Sequence, residues 1–452
     1  MQINLTKGSI IKTIAAFSLP YLLAYFLQTL YGLADVYITG QFNGSDAITA
    51  VSMGSQVMHM ITVIIVGLAM GTTVVISQAV GAGRNKEISG VVGNTASLFM
   101  VVSVVLTIIL CILIKPVLKV MRTPKEAMRE ASLYLRICFA GIPFITAYNV
   151  LSAVFRGMGD SKSPLVFVGI ACVFNILLDY ILIGVFKMGA AGAACATVFS
   201  QTASVVFAFV AIIKKRSVTL QKGDLRPDGR VLSKIMKIGI PVALQDGLIQ
   251  VSFLVITIIA NKRGVEIAAA VGIVEKIIGM LFLIPSSMLS SISAIAAQNN
   301  GAGLHKRAVK TLRYGILICI GFGAVFTLIC RLWATDIIGM FSDEEVVIEM
   351  GAQYLKSYVI DCIVAGVHFC FSGFFCAYSR SIASFVHNIL SIVLVRIPGA
   401  YLASVYFPDD LTPMGLAAPA GSLLSVFICI GIYIALRKKI FNSNSGIMPG
   451  IK

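Results

Sequence analysis

Long apolar segments separated by short polar turns occupy almost the whole chain. Most of these segments reach the length of about 20 residues that a helix needs to cross the hydrocarbon core of a bilayer. The turns combine glycine, proline, asparagine or serine with charged residues, which is typical of helix ends. The pattern predicts twelve transmembrane helices, at roughly residues 14–39, 47–75, 91–115, 131–157, 164–186, 190–213, 235–261, 267–296, 312–335, 354–377, 383–407 and 414–436.

The two halves of the chain repeat each other. Residues 76–87 read ISQAVGAGRNKE, and residues 296–307, 220 positions further on, read AAQNNGAGLHKR. Residues 44–54 and 264–274 resemble each other at the same separation. Because six predicted helices lie on each side of the midpoint, we expect one six-helix unit used twice, as in many secondary transporters.

The longest basic segment, residues 214–237, lies between the halves and carries eight Lys and Arg residues. It predicts an N-terminal bundle at 1–213, a linker at 214–237 and a C-terminal bundle at 238–452. Basic loops stay in the cytoplasm. An orientation with both termini inside places about twice as many Lys and Arg inside as outside, although residues 115–136 depart from this bias. We therefore expect a multi-pass protein of the plasma membrane with cytoplasmic termini.

The composition supports this class and excludes others. Charged residues make up 12% of the chain, against about 25% in soluble domains. The net charge of +16 lies in short turns without interleaved aromatic residues, so we expect no nucleic-acid partner. The ten cysteines are scattered without a CxxC spacing, which predicts neither disulfides nor a thiolate metal site. The first apolar segment continues as a full span, so it is expected to be retained.

Ionisable residues inside the predicted spans are few, and each needs a reason because a buried charge costs at least about 2.5–3.5 kcal/mol there. Asp35 and Asp179 lie roughly 7–10 Å inside the outer ends of the first and fifth spans. Asn175 is one turn from Asp179, on the same face. Thr197 and Tyr134 enter the same layer from the sixth and fourth spans. These five residues are predicted to form an ion-coupling site.

Two carboxylates held close together in a low-dielectric layer repel each other. Either one of them takes up a proton, or the pair binds a monovalent cation. The candidate coupling ion is therefore H⁺ or Na⁺, and the ligands available for Na⁺ are Asp35, Asp179, Asn175 and Thr197.

The second half lacks this layer. At the separation that relates the two repeats, Val255 stands in place of Asp35, and residues near Gly399 stand in place of Asp179. We therefore expect the coupling site in the first half alone.

Other ionisable residues occur in the second half. Arg396 is expected to neutralise Asp361 or Glu275 in a structural ion pair, with a substrate contact as the alternative for Glu275. Asp246 is expected near the inner end of its span, where water reaches it. Flexible methionines suit an adaptable substrate cavity. The residues predicted to line one are Glu275, Asp361, Gln28, Gln56, Met53 and His368.

Several longer motifs resemble those of the multidrug and toxic compound extrusion (MATE) transporters. They are GSIIKTIAAFSLPYLLAYFLQTLYGLADVYITGQ at 8–41, the pair SQAVGAG and AQNNGAG, FRGMGDSKSP at 155–164, and NILLDYILIGVFKMGAAGAACATVFSQ at 175–201. Their order and spacing cover essentially the whole chain. The resemblance implies an all-α polytopic fold with two pseudo-symmetric six-helix bundles arranged in a V.

The resemblance also implies the export of organic, often cationic, compounds in exchange for H⁺ or Na⁺, without a cofactor. It assigns the coupling role to the same five residues that lie in one layer of the predicted spans, namely Asp35, Asn175, Asp179, Thr197 and Tyr134. Two departures stand out. Tyr180 occupies a position where many relatives have proline, and Asp246 lies about a turn from the seventh-span carboxylate of one branch.

Two other functions are compatible with parts of the pattern. A flippase for lipid-linked oligosaccharides has the same architecture, but it would favour a cationic cavity for pyrophosphate. An intramembrane enzyme would need a nucleophile with a base, or a metal constellation, and no HExxH or GxSxG motif occurs. We therefore expect an antiporter and not an enzyme. It would be monomeric, move small cationic or amphipathic compounds across the bilayer by alternating access, and bind no nucleic acid.

Overall fold

A computed structural model describes residues 4–215 and 221–442 of the chain. In these two ranges the regular structure is helical and no β-strand occurs. Parts of the predicted domains and linker lie outside the described residues, namely residues 1–3, 216–220 and 443–452.

The described chain divides into two compact units. The first contains residues 4–5 and Ala15–Ala243, and the second contains Thr6–Ile14 and residues 244–442. The helices of the first unit are α1 (Ile10–Phe42, from Ala15), α2 (Ser45–Gly81), α3 (Asn85–Val120), α4 (Met128–Ala140), α5 (Ile142–Gly157), α6 (Lys162–Asp179), α7 (Gly189–Lys215) and the start of α8 (Gly229–Asn261).

The second unit follows from the middle of α8. Its helices are α9 (Val265–Leu281), α10 (Leu283–Gly301), α11 (His305–Leu332), α12 (Ala334–Gly339), α13 (Glu345–Tyr358), α14 (Asp361–Ala377), α15 (Ser381–Ser391), α16 (Ile397–Tyr406) and α17 (Thr412–Asn442). A π-helical turn extends α6 over Tyr180–Val185, and a second one joins α15 to α16 over Ile392–Arg396.

The prediction of twelve spans is confirmed. In the described residues, eleven helices are long and apolar enough to cross a membrane, and the bent pair α4 and α5 supplies the twelfth span. The protein is therefore a multi-pass membrane protein. The seventh span begins earlier than expected, because α8 starts at Gly229. Asp246 lies near the middle of α8, and its expected position near the inner end of the membrane span stays a prediction.

A break in the fourth helix of the repeat occurs in both units. In the first unit α4 and α5 meet at Gly141 with a bend of 49°, and Thr107 donates a hydrogen bond to the carbonyl of Phe139 at 3.2 Å. In the second unit α13 ends at Tyr358, α14 starts at Asp361, and Thr327 donates to the carbonyl of Val359 at 3.1 Å. The two hydrogen bonds occupy equivalent positions of the repeat. A side-chain hydroxyl thus satisfies a carbonyl at the interrupted helix, as broken helices in lipid require.

Two glycines bring α2 and α8 into close contact within the first unit. A Cβ at Gly71 would lie 2.1 Å from the carbonyl oxygen of Ile235, and a Cβ at Gly239 would lie 2.4 Å from that of Leu68. Small residues at helix crossings let backbones approach closely in membranes. The sequence carries glycine at both positions because any side chain would separate the two helices.

Candidate ion-coupling site

Three helices of the first unit place polar side chains at one depth. Asp35 lies seven residues before the end of α1, and Asp179 ends α6, six residues before the end of the π-helical turn. Thr197 lies eight residues after the start of α7. At about 1.5 Å per residue these positions are all about 9–12 Å from the helix ends. The three residues thus lie at similar distances from the ends of their helices.

The carboxylate of Asp35 is the centre of the group. Thr197 donates a hydrogen bond from Oγ1 to Asp35 Oδ2 at 3.2 Å. The side chains of Asn175 and Asp179 lie close enough to interact electrostatically with the same carboxylate. Asp35 is 2% exposed, and Asn175 and Asp179 are fully buried. The structure thus brings these four residues together from three helices.

The site is deficient in hydrogen bonds. Within the described residues, no hydrogen-bond partner satisfies Asp35 Oδ1, either carboxylate oxygen of Asp179, or the amide nitrogen and oxygen of Asn175. Buried polar atoms are normally paired, because an unpaired one costs free energy. A proton shared by the two carboxyl groups, or a small cation among their oxygens, would satisfy this site.

Tyr134 has a different position from the one expected. Its hydroxyl lies 3.2 Å from Ser55 Oγ on α2 and forms a hydrogen bond there, while Asp35 lies only within electrostatic range. The ring packs directly against the backbone of Gly54, where a Cβ would lie 2.2 Å from Tyr134 Cδ1. Tyr134 is therefore a buried neighbour of the carboxylate group, held by α2, and does not touch the group directly.

Two residues next to this group were not predicted from the sequence. Tyr31 lies one turn before Asp35, and Gln201 lies one turn after Thr197. Gln201 Nε2 donates to the hydroxyl of Tyr31 at 3.2 Å, so a second contact joins α1 and α7. The sequence does contain a signal for these two residues, namely the spacing of four residues on each helix. It places Tyr31 and Gln201 on the helix faces that carry Asp35 and Thr197.

The π-helical turn begins immediately after Asp179. π-Helical turns are rare and occur often at functional sites. Tyr180, the residue that departs from the family pattern, is 46% exposed, and its ring meets Phe42 edge to face at 6.1 Å. It therefore points away from the carboxylate group.

The ionisable residues of the second unit form a separate cluster. Thr257 donates a hydrogen bond to Glu275 Oε2 at 2.8 Å. Arg396 donates to the hydroxyl of Tyr358 and lies over the ring of Phe253, 4.8 Å from its centroid. Asp361 and Glu275 are within electrostatic range of this guanidinium. Among the described residues, however, no ion pair joins Arg396 to either carboxylate, so the predicted direct ion pair is absent from this part of the chain.

The other residues predicted to line a substrate cavity have varied environments. Gln28 and Met53 are half-buried, and Gln56 is exposed. His368 is 4% exposed and packs against His387, with ring centroids 5.4 Å apart. Within the second unit, His368 lies in electrostatic range of Arg396, the same guanidinium that Asp361 and Glu275 face.

Comparison with known proteins identifies the fold and the family. The MatE family model matches the chain twice, at residues 20–181 and 241–402, which agrees with a duplicated unit. A probable multidrug resistance protein of Bacillus subtilis, YoeA, is 27% identical over 443 residues, covering 96% of each chain. The multidrug export protein MepA of Staphylococcus aureus is 25% identical over 458 residues, covering 98% of each chain.

A solved structure gives the same result at the level of the fold. The crystal structure of MATE in the bent conformation matches with a TM-score of 0.92 at 20% identity, covering 99% of this chain and all of that one. The family model alone accounts for more than half of the present sequence. The chain therefore belongs to the MatE family, the multidrug and toxic compound extrusion transporters, and it is a membrane transport protein and not an enzyme.

Proposed function

We propose that this exporter is a secondary antiporter that moves small organic cations out of the cell in exchange for H⁺ or Na⁺. The observation that carries the proposal is the buried group of Asp35, Asp179, Asn175 and Thr197, with five polar atoms that lack hydrogen-bond partners among the described residues. Two relatives are named as multidrug resistance and multidrug export proteins. These names support organic compounds as substrates.

The coupling follows from electrostatics. When the site is empty, the carboxylates of Asp35 and Asp179 repel each other at close range in a low-dielectric environment. A bound H⁺ or Na⁺ removes this repulsion and relaxes the packing of α1 against α6 and α7. The ion can drive transport only if it binds the outward-open and inward-open states with different free energies. We assign tighter binding to the outward-open state, which the ion meets from outside.

The membrane topology belongs to the same proposal. Both termini and the basic linker at 214–237 lie in the cytoplasm, the protein resides in the plasma membrane, and a monomer carries out transport. The surplus of Lys and Arg on the inner side supports this orientation. The flippase alternative is less consistent with a first unit whose buried ionisable group is made of carboxylates.

The test is transport of ethidium, an organic cation, in proteoliposomes with pH and sodium gradients imposed separately. Either the pH gradient or the sodium gradient should drive ethidium uptake into or efflux from the vesicles. Asp35→Asn and Asp179→Asn should each abolish the dependence of ethidium transport on that gradient. Asp46→Asn is the matched control, since Asp46 is an exposed residue of the same unit at the start of α2. Gradient-driven transport at the wild-type rate in Asp179→Asn would contradict the proposal.

A further inference from the structure

The first unit carries an exposed basic cluster where α3 ends and α4 begins. Every Lys and Arg residue within residues 115–136 is exposed, and α3 packs against α4. Within residues 4–215 and 221–442, none of these side chains forms an ion pair or a hydrogen bond. The cluster, which we call the α3–α4 corner, consists of Lys115, Lys119, Arg122, Lys125, Arg129 and Arg136.

The duplicated fold does not require this charge, because the second unit carries the opposite charge at the same repeat positions. Residues 115–136 contain six basic and two acidic residues, whereas residues 335–356 contain one basic and five acidic residues. Lys125 and Arg129 correspond to Glu345 and Glu349, which are exposed as well. In the proposed orientation the corner also opposes the preference of Lys and Arg for the cytoplasmic side. The positive charge of the first unit therefore needs a reason of its own.

An apolar stripe of α3 leads directly into the α3–α4 corner. Spacings of four and three residues place a row of exposed side chains on one face of this helix, namely Val101, Val105, Ile108, Ile112, Lys115 and Lys119. Among the eleven single-helix spans of the described chain, α3 buries the smallest share of its apolar stretch, 17%. This face is thus apolar along its length and basic at its end, like the surface that a phospholipid with an anionic headgroup would match.

The end of α3 places a basic residue in an uncommon backbone conformation. The amide of Thr123 donates to the carbonyl of Leu118, and the amide of Arg122 donates to the carbonyl of Lys119, both at 3.1 Å. This Schellman motif needs one residue in the left-handed conformation, which glycine adopts without steric cost. At the end of α2 that residue is Gly83, with a φ of 69°, whereas at the end of α3 it is Arg122, with a φ of 53°. The corner thus keeps a cation where the backbone favours glycine.

We propose that the α3–α4 corner binds the headgroup phosphate of anionic phospholipids, whose acyl chains lie along the apolar stripe of α3. Guanidinium groups bind phosphate oxygens in a bidentate manner, and ammonium groups bind them as point charges. Each Lys or Arg at a membrane surface favours anionic lipid by about fivefold in affinity. A soluble anion would use the charges of the corner but not the stripe, so the stripe decides in favour of a lipid.

The single tryptophan of the chain provides an internal control for the test. Trp333 is exposed next to the acidic residues of the second unit, and its repeat position in the first unit is Leu113, which is also exposed. The full-length protein is reconstituted in phosphatidylcholine and phosphatidylglycerol, with one of the two lipids brominated, because bromine quenches nearby tryptophan fluorescence. The wild type reports the lipid next to Trp333. The double variant Leu113→Trp with Trp333→Phe, called the corner reporter, reports the lipid next to the α3–α4 corner.

The corner reporter should prefer phosphatidylglycerol over phosphatidylcholine by about fivefold or more, and Trp333 in the wild type should show no such preference. Raised salt should weaken the preference through ionic screening, without any further variant. Four substitutions in the corner reporter should abolish it, namely Lys115→Gln, Lys119→Gln, Arg122→Gln and Arg129→Gln. The matched control neutralises four exposed basic residues elsewhere and should keep the preference, and its substitutions are Lys12→Gln, Arg226→Gln, Arg230→Gln and Lys234→Gln.

Equal quenching of the corner reporter by both lipids would overturn the proposal, as would a preference that survives the four substitutions in the corner. Weak quenching by both lipids would also overturn it, because a second copy of the chain would then cover the corner. Soluble glycerol phosphate should leave the preference unchanged, and loss of the preference would identify a soluble phosphate compound as the ligand instead of a lipid. No transport is measured and no ion gradient is imposed, so the result is independent of the antiport test.

Discussion

The hydroxyl of Thr197 donates a hydrogen bond to Asp35 Oδ2 at 3.2 Å, across 162 residues of sequence. This contact fixes α7 against α1 at the depth where Asp179 ends α6. It also satisfies just one oxygen of the Asp35 carboxylate, since Oδ1 has no partner among the described residues. The geometry holds the carboxylate in place and leaves one of its oxygens available for an ion.

Thr197→Val should identify the coupling ion. A hydrogen bond to a charged group contributes about 1.5–3 kcal/mol. If the ion is H⁺, loss of the donor destabilises the ionised Asp35 and moves the pH midpoint of ethidium transport upward by about one unit or more. If the ion is Na⁺, loss of the oxygen ligand weakens sodium binding about tenfold or more. Thr197→Ser keeps the hydroxyl and should behave as wild type. An unchanged pH midpoint together with an unchanged sodium affinity in Thr197→Val would contradict both alternatives.

Asp179→Asn should remove a pH dependence of thermal stability. Two buried carboxylates repel when both are ionised, so the folded protein should lose stability as rising pH removes the proton that they share. The amide of asparagine resembles a neutral carboxyl group in shape and cannot ionise. We expect the melting temperature to fall with pH in the wild type and to fall less in Asp179→Asn, as measured by intrinsic fluorescence. Asp46→Asn should retain the wild-type slope, and an equal slope in all three proteins would exclude a shared proton.

Gly54→Ala should destabilise the first unit. The added Cβ would lie 2.2 Å from the ring of Tyr134, so the ring must move and lose its hydrogen bond to Ser55. Overpacking of this kind costs about 1–3 kcal/mol. Gly90→Ala is the matched control, because a Cβ there meets no atom within 4 Å. A lower melting temperature is expected for Gly54→Ala and not for Gly90→Ala. In a Tyr134→Ala background the same Gly54→Ala change should cost less, because the ring that the methyl group would meet is gone.

The crossing of α2 and α8 depends on two glycines. Gly71→Ala and Gly239→Ala each push a methyl group against a carbonyl of the other helix, and carbonyls cannot rotate away as side chains do. We expect both variants to lower the yield of folded protein on size-exclusion chromatography. Gly272→Ala and Gly279→Ala, in the open positions of α9, should not. Normal yield and melting temperature for Gly239→Ala would show that the helices separate at little cost.

The pattern of the sequence predicted the spans, the duplication and the depth of the site. Residue spacing along a helix is a measure of depth, because each residue advances the helix by about 1.5 Å. It therefore placed Asp35, Asp179 and Thr197 in one layer. It also placed Tyr134 there, whereas the Tyr134 hydroxyl forms its hydrogen bond with Ser55 on α2.

Residue spacing along single helices does not predict which distant residues pair. Arg396 was expected to form an ion pair with Asp361 or Glu275, yet it bonds to Tyr358 and stacks on Phe253. The interruption before Asp361 was missed because Val359 and Ile360 are apolar and carry no turn signal. The hydroxyl of Thr327, 32 residues earlier, satisfies the carbonyl at that break.

By itself the sequence determined a duplicated twelve-helix membrane protein of the MatE family, because hydrophobic length, repeated motifs and their order are properties of the chain read in one dimension. The tertiary structure decided which buried polar atoms meet and which stay unsatisfied. That outcome depends on how each helix is rotated and on contacts between residues more than a hundred positions apart. Both are settled by packing in three dimensions, and they determine where an ion can bind.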